Sequence, residues 1–133
     1  MKIYKTEKCP CGKDQTYKKC CEKFHMNFSI ATCAEDLMRS RYTAFTLGMG
    51  QYLNDSHHKT SRNEAEKESI EKWAKSVKFI KLEILNSTLG NKDDTNGTVE
   101  FKAHFKQGVF KRVIHENSSF IKEDGRWYYL GSI

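Results

Sequence analysis

The sequence predicts an α+β protein with a short cysteine-rich segment ahead of its first long helix. Three observations carry that expectation. Four cysteines fall within thirteen residues, as Cys9-Pro10-Cys11-Gly12 and then, eight residues after the glycine, Cys20-Cys21. Between Thr32 and Val77 the apolar positions recur at helical spacing, and after Val77 the period switches to 2, the mark of half-buried strands. Helices followed by strands make a layered arrangement, with the helices packed on one face of a curved antiparallel sheet.

The cysteine segment, residues 1–28, reads as a metal module ahead of an α+β domain at residues 29–133. Zn²⁺ takes four thiolates at tetrahedral corners, about 2.3 Å from the metal, and iron also accepts four thiolates. A Cys-x-Cys pair before a glycine turn supplies two adjacent corners. The loop from Lys13 to Lys19 then folds back to deliver the other two, with a short helical turn expected near Tyr17–Phe24. The segment has little apolar content, so metal binding would supply most of its folding free energy, on the order of 10–16 kcal/mol for a structural site. Disulfides are the weaker reading, because adjacent cysteines rarely bridge each other and nothing indicates an oxidising compartment. His25 follows Cys21 by four residues and could replace a thiol. Four cysteines already complete the shell, so His25 is expected at the surface or in packing.

Thr32-Cys33-Ala34-Glu35 reads as a capping box, with Thr32 as N-cap. Behind it Leu37, Met38, Arg41/Tyr42, Phe45, Met49, Tyr52 and Leu53 keep helical spacing, with a break near Gly48-Met49-Gly50. Cys33 lies outside the motif spacing and reads as a free thiol. A polar stretch, Asp55–Thr60, joins this helix to the next; its vicinal His57 and His58 point apart and make a weak metal pair. Ser61-Arg62-Asn63-Glu64 repeats the capping pattern, and Ile70, Trp73, Ala74 and Val77 mark the buried face of a second helix.

In the strand region Ile80, Leu82 and Ile84 alternate with Lys81 and Glu83. A loop is expected over Asn91–Gly97. Val99, Phe101, Ala103 and Phe105 then alternate with Glu100, Lys102, His104 and Lys106, the cleanest half-buried strand in the chain. Gly108 falls in the next turn, residues 110–122 read as a third strand, and Glu123-Asp124-Gly125 is a hairpin signal leading into Arg126–Leu130.

With 133 residues, 38% of them hydrophobic, the chain has enough apolar content for one core, which excludes wholesale disorder. No apolar run approaches the roughly 18 residues of a membrane span, and the first eight residues lack the apolar stretch of a signal peptide. The expected address is the cytoplasm. A zinc ion with four thiolates carries −2, which lowers the formal charge of +6 to about +4. Residues 1–29 hold seven of the lysines, among them Lys2, Lys5, Lys8 and Lys23, against Glu7, Asp14 and Glu22. Such a mild basic balance permits contact with RNA or acidic protein surfaces and demands neither.

Cys9-Pro10-Cys11-Gly12 through Tyr17-Lys18-Lys19-Cys20-Cys21 resembles the SEC-C motif, C-P-C-G-S-G-K-K-Y-K-x-C-C/H, a metal module also found in the SecA translocation ATPase. Lys13, Asp14 and Gln15 stand where the motif has Ser-Gly-Lys, so a turn glycine is missing while all four ligands remain. The resemblance implies a metal, with zinc favoured, on Cys9, Cys11, Cys20 and Cys21. It also implies a protein partner in export, chaperone work or translation, since such modules contact the SecB chaperone and the ribosome. Lys13, Tyr17, Lys18 and Lys19, expected exposed, are the contact candidates.

The helices and four-stranded meander resemble the cone-shaped NTF2-like fold. Ala34–Phe45, His115–Phe120 and Gly125–Gly131 resemble segments of the YchJ family. Relatives of that kind often carry a second SEC-C module after the last strand; this sequence stops at Ile133, so a function needing two modules on one polypeptide is not the expectation. The family resemblance implies a fold and a metal but no reaction.

A site in the cone therefore rests on the residues. Glu116, Ser118 and Phe120 share one strand face. If that face is concave, Glu116 sits opposite the helix bearing Arg39 and Arg41, and a buried ion pair with one of them is the structural expectation. The catalytic alternative makes Glu116 or His115 a general base with Tyr42 or Tyr52 as donor, as in isomerases and dehydratases of similar fold. Trp73, Trp127 and Tyr129 are expected in the core. The leading function is a non-catalytic zinc adaptor. A ligand-binding or enzymatic cavity and RNA binding through the basic module are the alternatives, and a homodimer through the outer sheet face is a further expectation.

Overall fold

Residues 7–133 are described by a computed structural model; Lys2, Lys5 and the reading of the extreme N-terminus lie outside the described residues. A 3₁₀ turn at Tyr17–Lys19 runs into helix α1 (Cys21–Met26), and a second at Phe28–Ile30 leads to α2 (Ala34–Thr46), α3 (Gly50–Asp55) and α4 (Glu66–Ser76). Four strands follow, β1 (Lys78–Leu89), β2 (Asn96–Gln107), β3 (Phe110–Glu123) and β4 (Arg126–Ser132), forming one antiparallel sheet in the order β1-β2-β3-β4. The expected helices-then-sheet architecture is present, and so is the expected break: Gly48 takes a left-handed φ of +67° between α2 and α3.

Neither expected capping box forms. α2 begins at Ala34 behind an extended Cys33, with no side-chain cap. Glu35, expected to reach back, turns forward to Arg39 at 2.9 Å, where an i,i+4 ion pair is available on the helix face. Ser61, expected to cap the next helix, donates its hydroxyl to the Leu130 carbonyl at 2.5 Å and ties the α3–α4 connection to β4. α4 starts later, at Glu66, where Asn63 Oδ1 accepts the Ala65 N–H at 3.0 Å.

Strand β2 behaves as the alternation predicts: Val99, Phe101, Ala103 and Phe105 are all buried. Strand β1 does not. Its register shifts between Phe79 and Lys81 and again between Ile84 and Asn86, so Phe79 joins the inner face while Ile80 is exposed. Such bulges bend a strand and strengthen its twist, which curves the sheet around the helices. The β3–β4 hairpin turns on Asp124 and Gly125, both with positive φ (52° and 78°), the geometry a two-residue hairpin loop requires.

The core lies between α2 and the inner sheet face. Leu37, Met38 and Tyr42 pack against Leu82, Val99, Phe101, Ala103, Phe120 and the fully enclosed Trp127. Phe24 of α1 joins the same cluster. The cysteine-rich segment is therefore anchored by shared apolar packing as well as by its own thiols.

Candidate metal centre and inner cavity

The turn at the first cysteine pair is closed by Gly12 N–H to the Cys9 carbonyl at 3.3 Å, with Gly12 at a φ of +94°. The Cys9 N–H donates to Gln15 O and the Tyr17 N–H to Glu7 O, both at 2.9 Å, so the loop doubles back without the motif's second glycine. The 3₁₀ turn then brings Cys20 and Cys21 onto the first pair. All four cysteines are buried and none is in a disulfide. Their sulfurs lie within 4.8 Å of one another, and Cys11 Sγ and Cys20 Sγ are 3.5 Å apart. A tetrahedron with bonds of about 2.3 Å has sulfur–sulfur edges of about 3.8 Å, so the donor set fits a single thiophilic ion.

The electrostatics point the same way. Hydrogen bonds from Cys11 and Cys21 hold the Cys9 thiol far below its ordinary range. Burial pushes Cys20 up to about 12, and sharing protons with Cys11 and Cys9 raises Cys21 further. A bound dication makes all four thiolates favourable.

One face of α2 carries this centre. Arg39 Nη1 donates to the Cys11 carbonyl at 2.6 Å, and Lys13 Nζ pairs with Asp36 at 3.1 Å. Thr43 Oγ1 lies 3.8 Å from Cys9 Sγ. His25 is a packing residue with both ring nitrogens engaged. Nε2 lies 2.8 Å from the Ser40 carbonyl, which can accept only, so Nε2 carries the proton and Nδ1 accepts from Tyr17 Oη at 2.7 Å. Burial accordingly pushes the His25 pKa down. These contacts correct the expected binding surface. Tyr17 is only 8% exposed, because its ring is packed against His25, and Lys13 is engaged by Asp36. Lys18 and Lys19 are exposed as expected.

The opposite face of α2 borders a cavity of about 260 Å³ between α2, α4 and the inner sheet. Arg41, Tyr42 and Glu116 line it, as the sequence suggested. Three expected members do not. Arg39 lies one position off the inward stripe and holds the metal module. Tyr52 sits under His25, hydrogen-bonded to Ser40 Oγ at 2.7 Å. His115 projects from the outer sheet face, since neighbours of Glu116 on a strand point the other way, and pairs with Glu100 at 2.7 Å. The expected ion pair with Glu116 is also absent among the described residues. Arg41 spends its Nη1 donors on Leu53 O (2.8 Å) and Ser56 Oγ (2.6 Å) and stacks on Tyr129, 4.3 Å from the ring centroid.

Sequence reasoning missed His57 and the inward role of Tyr129, which meet edge to face at 4.9 Å on the cavity wall. Their juxtaposition depends on a parallel bridge between residues 57 and 129, which no local pattern reveals. Trp73, expected in the core, packs against Phe45, Phe79 and Phe105 and forms an aromatic wall of the cavity.

The profile of YchJ, middle NTF2-like domain, matches residues 33–132. The chain belongs to the YchJ family. UPF0225 proteins of Vibrio vulnificus and Geobacter sulfurreducens are each 38% identical over 124 residues, covering 92% and 93% of this chain and 72% and 77% of their own lengths. A UPF0225 protein of Bordetella pertussis is 42% identical over 124 residues, 92% of this chain and 89% of its own. A SEC-C motif containing protein from Rhodopseudomonas palustris has a similar structure (TM-score 0.85, 32% identity, 96% of this chain and 98% of that one). Another from Psychrobacter arcticus is close behind (TM-score 0.81, 28% identity, 96% and 82%). The YchJ profile spans α2 to β4, and the SEC-C structures extend the likeness over the four-cysteine cluster of this YchJ family member.

Proposed function

We propose that this YchJ family protein is a non-catalytic zinc-containing adaptor of the cytoplasm, whose metal module holds an exposed lysine edge toward an acidic protein partner. The observation that carries the reading is the closed donor set. Four buried thiols fill every position of a tetrahedral ion and leave none for water or substrate, which is the arrangement of a structural rather than a catalytic site. Zinc suits such a site without redox chemistry, and five free cysteines suit a reducing compartment. No helix among the described residues is long and apolar enough to cross a membrane. Lys18 and Lys19 sit on the 3₁₀ turn between the two ligand pairs, so the metal fixes their direction. The SEC-C likeness supports a partner in export, chaperone or ribosome-associated work.

The test pairs metal analysis with a charge reversal that spares the ligands. Protein purified without added metal should carry about one zinc per chain, lost in a Cys20→Ser/Cys21→Ser variant. Lys18→Glu/Lys19→Glu should keep the zinc and the thermal midpoint yet lose the proteins that the wild type captures from a bacterial lysate. An unchanged capture profile in the charge-reversed variant would overturn the adaptor surface, and metal-free purified protein would overturn the zinc.

A further inference from the structure

The cavity on the other face of α2 holds two opposite charges that do not touch. Arg41 is enclosed, at 6% exposure, and among the described residues its hydrogen bonds run from Nη1 alone, with no acceptor for the donors on Nε and Nη2. Arg41 lines the cavity. Glu116, projecting inward from β3, has no hydrogen bond or ion pair among the described residues, although Arg41 lies close enough to interact with it through space. Ser118, two positions along the same face, has a buried hydroxyl beside Tyr129. A buried guanidinium and a carboxylate left apart lose the contact energy that normally offsets their desolvation. A core built for packing would bring them together. This one keeps a gap between them, walled on its far side by Trp73 and Phe79.

We infer that the cavity is a binding site for a small zwitterion with an apolar body, the chemistry of an α-amino acid with an aromatic or branched side chain. Its carboxylate meets the Arg41 fork, its ammonium meets Glu116, and its side chain lies on the aromatic wall. The charges argue for a zwitterion over an ion: Glu66 lines the cavity only from its exposed rim, in contact with solvent, and of the enclosed lining groups Arg41 and Glu116 sum to zero, so a ligand carrying net charge leaves one charge uncompensated in a low-dielectric space. The size argues for a small one, because 260 Å³ falls below the roughly 300–1,000 Å³ of pockets that enclose drug-sized molecules. The site is separate from the metal module and stands whether or not the lysine edge binds a partner.

Three probes of matched shape test it, with tryptophan emission and titration calorimetry as readouts on the metal-replete chain. L-Phenylalanine carries both charges, 3-phenylpropanoate lacks the ammonium, and phenethylamine lacks the carboxylate. Phenylalanine should bind at least about tenfold more tightly than either analogue. Glu116→Gln, which keeps shape and fold, should cut the preference over 3-phenylpropanoate to about threefold or less. Arg41→Met should do the same for the preference over phenethylamine. If Arg41→Met fails to fold, the Glu116→Gln comparison decides alone. Equal binding of the three probes, a preference unmoved by Glu116→Gln, or no binding of phenylalanine by about 10 mM overturns the proposal.

Discussion

The two faces of α2 are built on opposite principles. On the module face every polar group is answered: Arg39 by Glu35 and the Cys11 carbonyl, His25 by Tyr17 and Ser40, and Lys13 by Asp36. On the cavity face Arg41 and Glu116 hold donors and acceptors that the described residues leave open. A saturated set of contacts specifies one geometry and resists change. An open set leaves specificity to whatever fills it. Breaking the first should cost stability, and breaking the second should cost binding.

The largest effect is expected at the thiols. Removing the metal with a strong chelator, or replacing Cys20 and Cys21 by serine, should cost several kcal/mol, since structural zinc sites contribute on the order of 10 kcal/mol to the segment they fold. Thermal unfolding with and without chelator measures it. An unmoved midpoint would mean that α2 and Phe24 hold the module unaided. Phe24→Ala sharpens that contrast. Phe24 lies in the main core, so its truncation should cost about 3–5 kcal/mol by denaturant unfolding even with the metal bound. A loss below about 1 kcal/mol would show that the metal alone anchors the segment.

Much of this division was legible in the sequence, and the failures have a common cause. The cluster of four cysteines, the break at Gly48, the buried face of β2 and the β3–β4 turn each follow from local spacing. Tyr17 reads as an exposed aromatic because the ring that covers it, His25, does so only once Ser40 of α2 closes the other side. Ile80 fits the alternation and is exposed because a bulge, invisible in the pattern, shifts β1 by one residue. Arg39 and Arg41 are indistinguishable by type. Their roles separate because two positions on a helix turn about 200°, placing one on the metal module and the other on the cavity. His115 and Glu116 separate by the simpler strand rule, which excludes both facing inward.

Arg39→Ala comes next in size. It leaves the Cys11 carbonyl without its donor, which should cost about 1–3 kcal/mol and speed zinc loss to a chelator. The three-probe selectivity of the cavity should not change. A parallel loss of phenylalanine binding would mean that the two faces of α2 are coupled through the helix.

The smallest effect is the titration of His57. Burial lowers its pKa to about 4, with the positive charges of Arg41 and Arg62 acting in the same direction and the Leu130 carbonyl opposing them. His58 lies beside it and Tyr129 packs on its ring. The sign follows from linkage. The unfolded chain takes up the proton near pH 6.5, the folded one only near 4, so His57's contribution is complete above the unfolded value and is lost as the pH falls through the folded one. The ring is half exposed, so solvent screening keeps the stability change small. NMR titration of the histidine ring signals should place the His57 midpoint near 4 and move it upward in Arg41→Met, which removes one of the charges but not the burial. Saturating phenylalanine should shift the same midpoint, because the bound carboxylate neutralises the guanidinium that faces the ring. A His57 midpoint at the ordinary histidine value in the wild type would mean that the ring stands in open solvent, away from both Arg41 and the cavity.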